Sequence, residues 1–168
     1  MNFEDVIKMR TAVRKFKDER IKKEELEKIL EIGRLAPTAK NLQPQKIYVV
    51  ESDEGLDKID ACSPCRYGAK TVLLVCSDKN IAFSKENHST YEMDAVIVAT
   101  FMMLGATNLG VGNIWVELFD ASKIKELFNL NDGVEPICLI PLGYKSDDYS
   151  FSVNHNVRKD LSEIVKYV

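Results

Sequence analysis

The stretch Ala95-Val96-Ile97-Val98-Ala99-Thr100-Phe101-Met102-Met103-Leu104-Gly105-Ala106 decides how this chain folds. Only Thr100 and Gly105 interrupt its apolar character, and twelve residues suit a buried core helix, not the ~20 needed to cross a bilayer. With its flanks the helix runs over about 92–108. Val96, Ala99, Met102, Met103 and Ala106 make it apolar on nearly all sides, and such a helix must be covered on all sides. In a chain of 168 residues, either the chain wraps a central helix or a second copy supplies the cover.

Short β-branched runs lie on either side of that helix. Residues 47–51 and 71–76 precede it; 112–116 and 136–142 follow. The second and fourth are apolar almost throughout, which predicts strands that are largely buried. Residues 22–36 predict a helix with Leu26, Ile29, Leu30 and Gly33 on one face, stopped by Pro37. Asp120 caps another helix that carries Ile124, Leu127 and Phe128 inward and ends near Asn129. A last short helix spans 161–167. Helices and strands in this irregular order predict an α+β layered architecture, a single domain over 1–168 without repeat or linker.

Composition narrows the function classes. With 45% hydrophobic and 29% charged residues the chain is globular, and a net charge of -3 with a pI near 5.5 argues against nucleic-acid binding. The N-terminus reads as an amphipathic helix with acidic residues in its first turn, not as a signal peptide, and no segment suits a membrane span. A cytoplasmic protein is expected. Cys62, Cys65, Cys76 and Cys138 fit neither a disulfide-dense domain nor a zinc ribbon, so reduced thiols and no metal are expected.

Arg10-Thr11-Ala12-Val13-Arg14-Lys15-Phe16 carries the main functional signal. Asn2 is a good N-cap, and the apolar stripe Phe3, Val6, Ile7, continued one turn, reaches Arg10. Arg14 shares Arg10's side whether the segment is helical or extended. Two convergent guanidinium groups suit a phosphate or another delocalised anion. The alternative is that they reach solvent or pair with Asp5, Asp18 or Glu19.

Other motifs weigh less. Gly105, Gly110 and Gly112 lead from helix to strand, the reverse of a dinucleotide fingerprint, and Gly110 reads as a helix C-cap. Cys62-Ser63-Pro64-Cys65 follows a helical-looking 57–61 instead of a strand, which disfavours a thioredoxin-like motif and places Cys65 in or near a ligand pocket. His88 and His155 offer no well-placed base for a hydrolytic triad. The two-proline loop 36–44 offers the amides of Asn41 and Gln43 either to a heteroaromatic edge or to the loop's own backbone. The junction 115–120, ending a strand just before a helix, should leave N–H groups free for an electron-rich ligand atom.

In order along the chain, these segments resemble the nitroreductase family of flavin-dependent oxidoreductases. Residues 10–16 resemble its R-x-S-x-R-x-F element, and 36–44 its A-P-S-A-x-N-x-Q-P loop. Asp94 with the long helix, Leu109-Gly110-Val111-Gly112 and Trp115 resemble its D…A…G-L-G…W run. Pro141-Leu142-Gly143-Tyr144 and Arg158-Lys159-x-Leu161-x-Glu163-Ile164-Val165 resemble its closing P-L-G-Y and R-x-P-L-x-E-I-V. The resemblance implies a mixed sheet flanked by helices with the long helix central, and a homodimer binding FMN at the subunit interface. Arg10 and Arg158 would hold the FMN phosphate, with Thr11 and Ala12 beside it. Arg14 would lie near the pyrimidine edge, where a cation favours the reduced flavin. Pro37, Thr38 and Asn41 would line the ring and ribityl chain, and the N–H groups of Glu117 and Leu118 would face flavin N5 and O4. The implied reaction is ping-pong hydride transfer from NADH or NADPH to a nitroaromatic, quinone or related acceptor. The flavin does the chemistry, and no side-chain acid or base is required.

Ala12 replaces the usual Ser, Gln45-Lys46 stand where an aromatic is common, and Leu118 stands where Gly is frequent. No basic residue in 62–70 matches one that larger members place near the pyrimidine, which leaves that task to Arg14. Two other readings compete: a non-catalytic flavin-binding or sensor protein on the same fold, and a thiol redox module using Cys62 and Cys65.

Overall fold

The computed structural model describes residues 1–168. In chain order it forms α1 (Phe3–Met9), α2 (Lys23–Arg34), a 3-10 turn (Ala39–Asn41), β1 (Gln45–Val50), α3 (Asp53–Cys62), β2 (Thr71–Asp78), a small hairpin of β3 (Ser84–Lys85) and β4 (His88–Ser89), α4 (Tyr91–Asn108), β5 (Gly112–Asn113), α5 (Ala121–Leu127), β6 (Val134–Gly143) and α6 (Leu161–Ile164). The class is α+β, as the sequence indicates.

The main sheet has the order β1-β2-β6-β5, with every neighbouring pair antiparallel. This corrects the expected mixed sheet. β2 and β5 do run the same way through the crossover helix α4, but β6 inserts between them and pairs antiparallel with both. The parallel component is reduced to a single bridge, Ala12 to Asn113. The predicted third strand, 112–116, is also broken. Val116 holds the same register opposite Leu139, their backbones exchanging hydrogen bonds of 3.0 and 2.9 Å. Between them Ile114 falls opposite Pro141, which has no N–H to complete the ladder.

Alternation sorts the sheet into two cores. Leu73, Val75, Ile140 and Leu142 face α2 and α4. Val72, Leu74, Cys76 and Leu139 face the other way, onto Leu56 and Ile59 of α3 and Ile124 of α5. Because helices cover both faces, β2 is buried along nearly its whole length, which explains its unbroken apolar run. Glycines let α2 and α4 approach closely: a Cβ on Gly33 would lie 2.5 Å from Met102, and one on Gly105 2.7 Å from Ile32.

Helix ends follow their caps. The Asn2 side chain accepts from Asp5 N, and that of Asp120 from Lys123 N. α4 ends at Gly110, whose left-handed φ of 80° lets Val111 N–H reach the Ala106 carbonyl at 2.9 Å, a Schellman closure. α5 closes the same way through Asn129 at φ 49°. α6 is shorter than the expected 161–167 and wholly exposed.

α4 buries Ala95, Val98, Ala99, Met102 and Met103 against the first core, while Met93, Val96, Ile97 and Phe101 on its other side remain 37–46% exposed. Beside them Phe3, Val6, Phe101 and Leu104 line an open apolar groove of about 440 Å³. No helix is long and apolar enough to cross a membrane.

Candidate functional site

The helical stripe expected to reach Arg10 stops at Met9, and the chain becomes extended. No breaker residue forces this. The β-branched Thr11 and Val13 alternate into the core, and Val13 N–H donates to the Asn113 carbonyl at 3.0 Å. Asn113 is itself fixed, its buried amide donating to Met103 O and Thr107 Oγ1, both at 3.1 Å. Arg10, Ala12 and Arg14 therefore share the opposite face, with Arg10 half-buried and Arg14 exposed. Neither arginine has a carboxylate within ion-pair distance; Asp18 pairs instead with Lys70 at 2.7 Å. Thus Asp5, Asp18 and Glu19 do not neutralise the two guanidinium groups.

Two further segments meet this face. From the C-terminal tail, Tyr149 Oη donates to Thr11 Oγ1 at 3.3 Å and His155 Nε2 to the Lys8 carbonyl at 2.8 Å. Ala12, Arg14, Lys15, Tyr149 and Phe151 line a cavity of about 350 Å³. Arg158 is exposed and donates only to the carbonyls of His155 and Val157, at 2.9 and 2.6 Å. From the loop after α3, Tyr67 faces both Arg14 and Cys65. Contact with the Cys65 thiol, then burial, raises the Tyr67 phenol above its ordinary pKa, while Arg14 pulls it down. Tyr67 has a left-handed φ of 55°, strain that a bulky residue tolerates only where surrounding structure imposes it.

Past Val116 the chain makes a tight turn. Phe119 N–H donates to the Glu117 carbonyl at 3.0 Å, and the N–H groups of Glu117 and Leu118 donate to nothing in the chain. These are the free donors expected at this junction. Leu118 keeps a negative φ, so the turn does not require Gly there, and its side chain is 66% exposed.

The loop carrying Pro37, Thr38 and Asn41 is held differently. Lys40, Asn41 and Gln43 all have φ between 52 and 55°, a strained series costing ~1–3 kcal/mol per residue. The buried carboxylate of Asp94 secures it, accepting Ala39 N–H and Thr90 Oγ1–H, each at 2.8 Å. Thr38 Oγ1 accepts Gln43 N–H at 3.0 Å, and Gln43 Nε2 turns back to the Asn41 carbonyl at 3.2 Å. No hydrogen bond or ion pair joins this loop to 10–14 or 117–118 within one chain.

Sequence reasoning missed Tyr67 and the buried Ser63, and it gave Asp94 no function. A non-glycine left-handed residue leaves no mark in a sequence. The four cysteines are free. Burial pushes the Cys62 thiol up, and Cys76 up to about 12, which leaves both poor nucleophiles at neutral pH.

Comparison with known proteins supplies the remaining observation. The sequence profile described as "Nitroreductase family" matches residues 7–64 and 61–144. The chain belongs to the nitroreductase family. A solved nitroreductase family protein of Clostridium difficile 630 is 38% identical with a TM-score of 0.93, over 99% of this chain and 98% of that one. A protein of Methanothermobacter thermautotrophicus, named as an NADH dehydrogenase/NAD(P)H nitroreductase, is 29% identical over 88% of this chain and 80% of its own length. A structure from Exiguobacterium sibiricum 255-15, determined in complex with FMN, shares the fold with a TM-score of 0.86 at 20% identity, over 100% of this chain and 98% of that one. Membership in the nitroreductase family makes the chain an oxidoreductase. The family profile includes Arg10–Arg14, the 37–43 loop and Glu117–Leu118, and stops short of Arg158.

Proposed function

We propose that this nitroreductase-family chain is an FMN-dependent, homodimeric oxidoreductase that uses NADH or NADPH to reduce a nitroaromatic, quinone or related aromatic acceptor. The supporting observation is the donor set. Arg10 and Arg14 share one face without carboxylate partners, in a chain with 26 acidic and 23 basic residues. A phosphomonoester and an electron-rich heterocycle fit such donors, because planar guanidinium forks and unbonded N–H groups both require acceptors. The residues present therefore suit FMN. When bound, FMN supplies two-electron hydride transfer from a reduced nicotinamide to an acceptor.

Each residue then has a task of its own. Arg10, with Arg158, neutralises phosphate charge, and Thr11 and Ala12 border it; Ala12 lacks the hydroxyl that a Ser would add. Arg14 presents positive charge to the pyrimidine edge, with Tyr67 beside it. Glu117 and Leu118 offer their N–H groups to ring acceptors, and the exposed Leu118 side chain limits what can stack beside them. Pro37, Thr38 and Asn41 line the ring from the strained loop. That loop is tied to Asp94 near the start of α4, whereas Asn113, which holds 11–13, is tied to Met103 and Thr107 near its end, and this separation favours a loop contributed by a partner subunit. The uncovered face of α4 gives the two copies apolar surface to bury against one another.

The test is the visible spectrum of purified protein, followed anaerobically as NADH and then NADPH are added. Flavin bands that bleach are expected, and the faster donor is the preferred one. Bands that persist with both donors would replace this reading with a flavin-binding protein that does not turn over.

A further inference from the structure

We propose that Ser63 is a positioning residue for the reduction site, acting through the backbone of Leu118; the inference rests on the FMN reading above. Ser63 is 1% exposed. Its hydroxyl donates to the Leu118 carbonyl at 2.7 Å and accepts Cys65 N–H at 3.1 Å, so the protein uses both of its hydrogen-bonding roles.

The surrounding bonds explain the arrangement. A helix leaves its last carbonyls without internal donors, and α3 ends at Cys62. Asp120 N–H donates to the Cys62 carbonyl at 3.0 Å, and Lys123 Nζ to the Ala61 carbonyl at 2.9 Å. Both ties join α3 to the segment entering α5, but neither reaches the turn at 117–119. Ser63 alone does. On one side the turn is fixed to the sheet by the Val116–Leu139 bridge, and on the other by the Ser63 hydroxyl, with Leu118 between them. Within the turn the one internal bond, Phe119 N–H to Glu117 O, couples the Leu118–Phe119 peptide that Ser63 holds to the Glu117–Leu118 peptide that carries the Leu118 N–H.

Preorganisation is what makes backbone donors effective where charge develops, because a donor that must first reorient loses its advantage. Ser63 therefore governs how well the Leu118 N–H stays aimed, the Glu117 N–H being held through the Val116 carbonyl that accepts from Leu139, while phosphate binding depends on the arginines. The Cys62-Ser63-Pro64-Cys65 motif owes its place at the site to the hydroxyl between its thiols.

Ser63→Ala, Ser63→Thr and Lys123→Ala separate this role from a merely structural one. With FMN bound, Ser63→Ala should lower kcat roughly tenfold, less than the ~10²–10³ lost when a donor itself is removed. KM for the nicotinamide and FMN affinity should stay within about twofold of wild type. The flavin midpoint potential should fall, and amide exchange at Leu118 in flavin-free protein should accelerate. Ser63→Thr should restore the potential and kcat. Lys123→Ala, cutting a neighbouring tie, should lower the melting temperature and leave the potential unchanged. If Ser63→Ala does not fold, Ser63→Cys carries the same comparison with a weak donor of similar shape. An unchanged potential and kcat in Ser63→Ala would overturn the inference, as would an equal shift in Lys123→Ala. Wild-type protein that takes up no flavin would instead overturn the reading beneath it.

Discussion

Residues 10–14 are held by their backbone and leave their charged side chains free, whereas the 37–43 loop is held by side-chain oxygens that impose its backbone shape. In the first region Val13 bonds to Asn113 and the arginines have no carboxylate partner. In the second, Asp94 and Thr38 clamp N–H groups of a chain bent three times into the left-handed region. A cationic grip can lose a charge without disturbing the fold. A strained loop cannot lose its clamp so cheaply. Binding and stability should therefore separate in one region and move together in the other.

Arg10→Ala is the sharpest way to break that contrast. It should weaken FMN binding about 10- to 150-fold, the loss expected when a charged group loses its partner, while the melting temperature of flavin-free protein stays unchanged. Flavin titration and thermal unfolding of the same sample decide it. Asp94→Ala should do both kinds of damage, costing ~1–3 kcal/mol of stability by leaving buried donors unsatisfied and lowering flavin occupancy. Denaturant unfolding measures the first effect; Asp94→Asn, which keeps an acceptor for Ala39, should recover most of it.

If the two regions meet only across a dimer, co-expressed Arg10→Ala and Asn41→Ala chains should complement. Half the dimers are then mixed, and each mixed dimer holds one site with both native residues, so about a quarter of wild-type flavin binding should return. No recovery would mean that one chain builds its own site.

The smallest effect concerns the sheet that both regions are built upon. Burial first, then the charge of Glu135, pushes the Cys76 thiol up from 9.0 to about 12. A raised folded-state pKa contributes stability in full below pH 9, which is lost as pH rises towards 12. Unfolding free energy should thus decline over this window by at most about 1.4 kcal/mol per pH unit from this thiol. Cys76→Ala should start less stable and show a shallower slope.

The elements with strong local chemistry were legible. Asn2, Asp120 and Gly110 marked helix ends, the unbroken apolar runs marked β2 and β6, and the free N–H groups after Trp115 followed from a strand ending before a helix. What could not be read depended on distant partners. Nothing local ends α1 at Met9; Asn113, a hundred residues away, draws 11–13 into an extended bridge. Lys40, Asn41, Gln43 and Tyr67 have no glycine to announce their left-handed backbone. The mixed sheet implied by the family resemblance gave way because β6, last in the sequence, enters between β2 and β5 and pairs antiparallel with both.

That late strand also constrains how the protein comes into being. β6 is the last strand in the sequence, yet it lies between β2 and β5. Until the ribosome has released Gly143 from its exit tunnel, β2 has one open edge and both cores lack Leu139, Ile140 or Leu142. From the emergence of β2 until β6 follows it, the nascent chain must hold an unpaired apolar edge, the condition under which chaperones are recruited and aggregation competes. A chain split in the 127–134 connection leaves a first fragment whose sheet cannot close without the second, so the two pieces form a natural pair for a reassembly sensor.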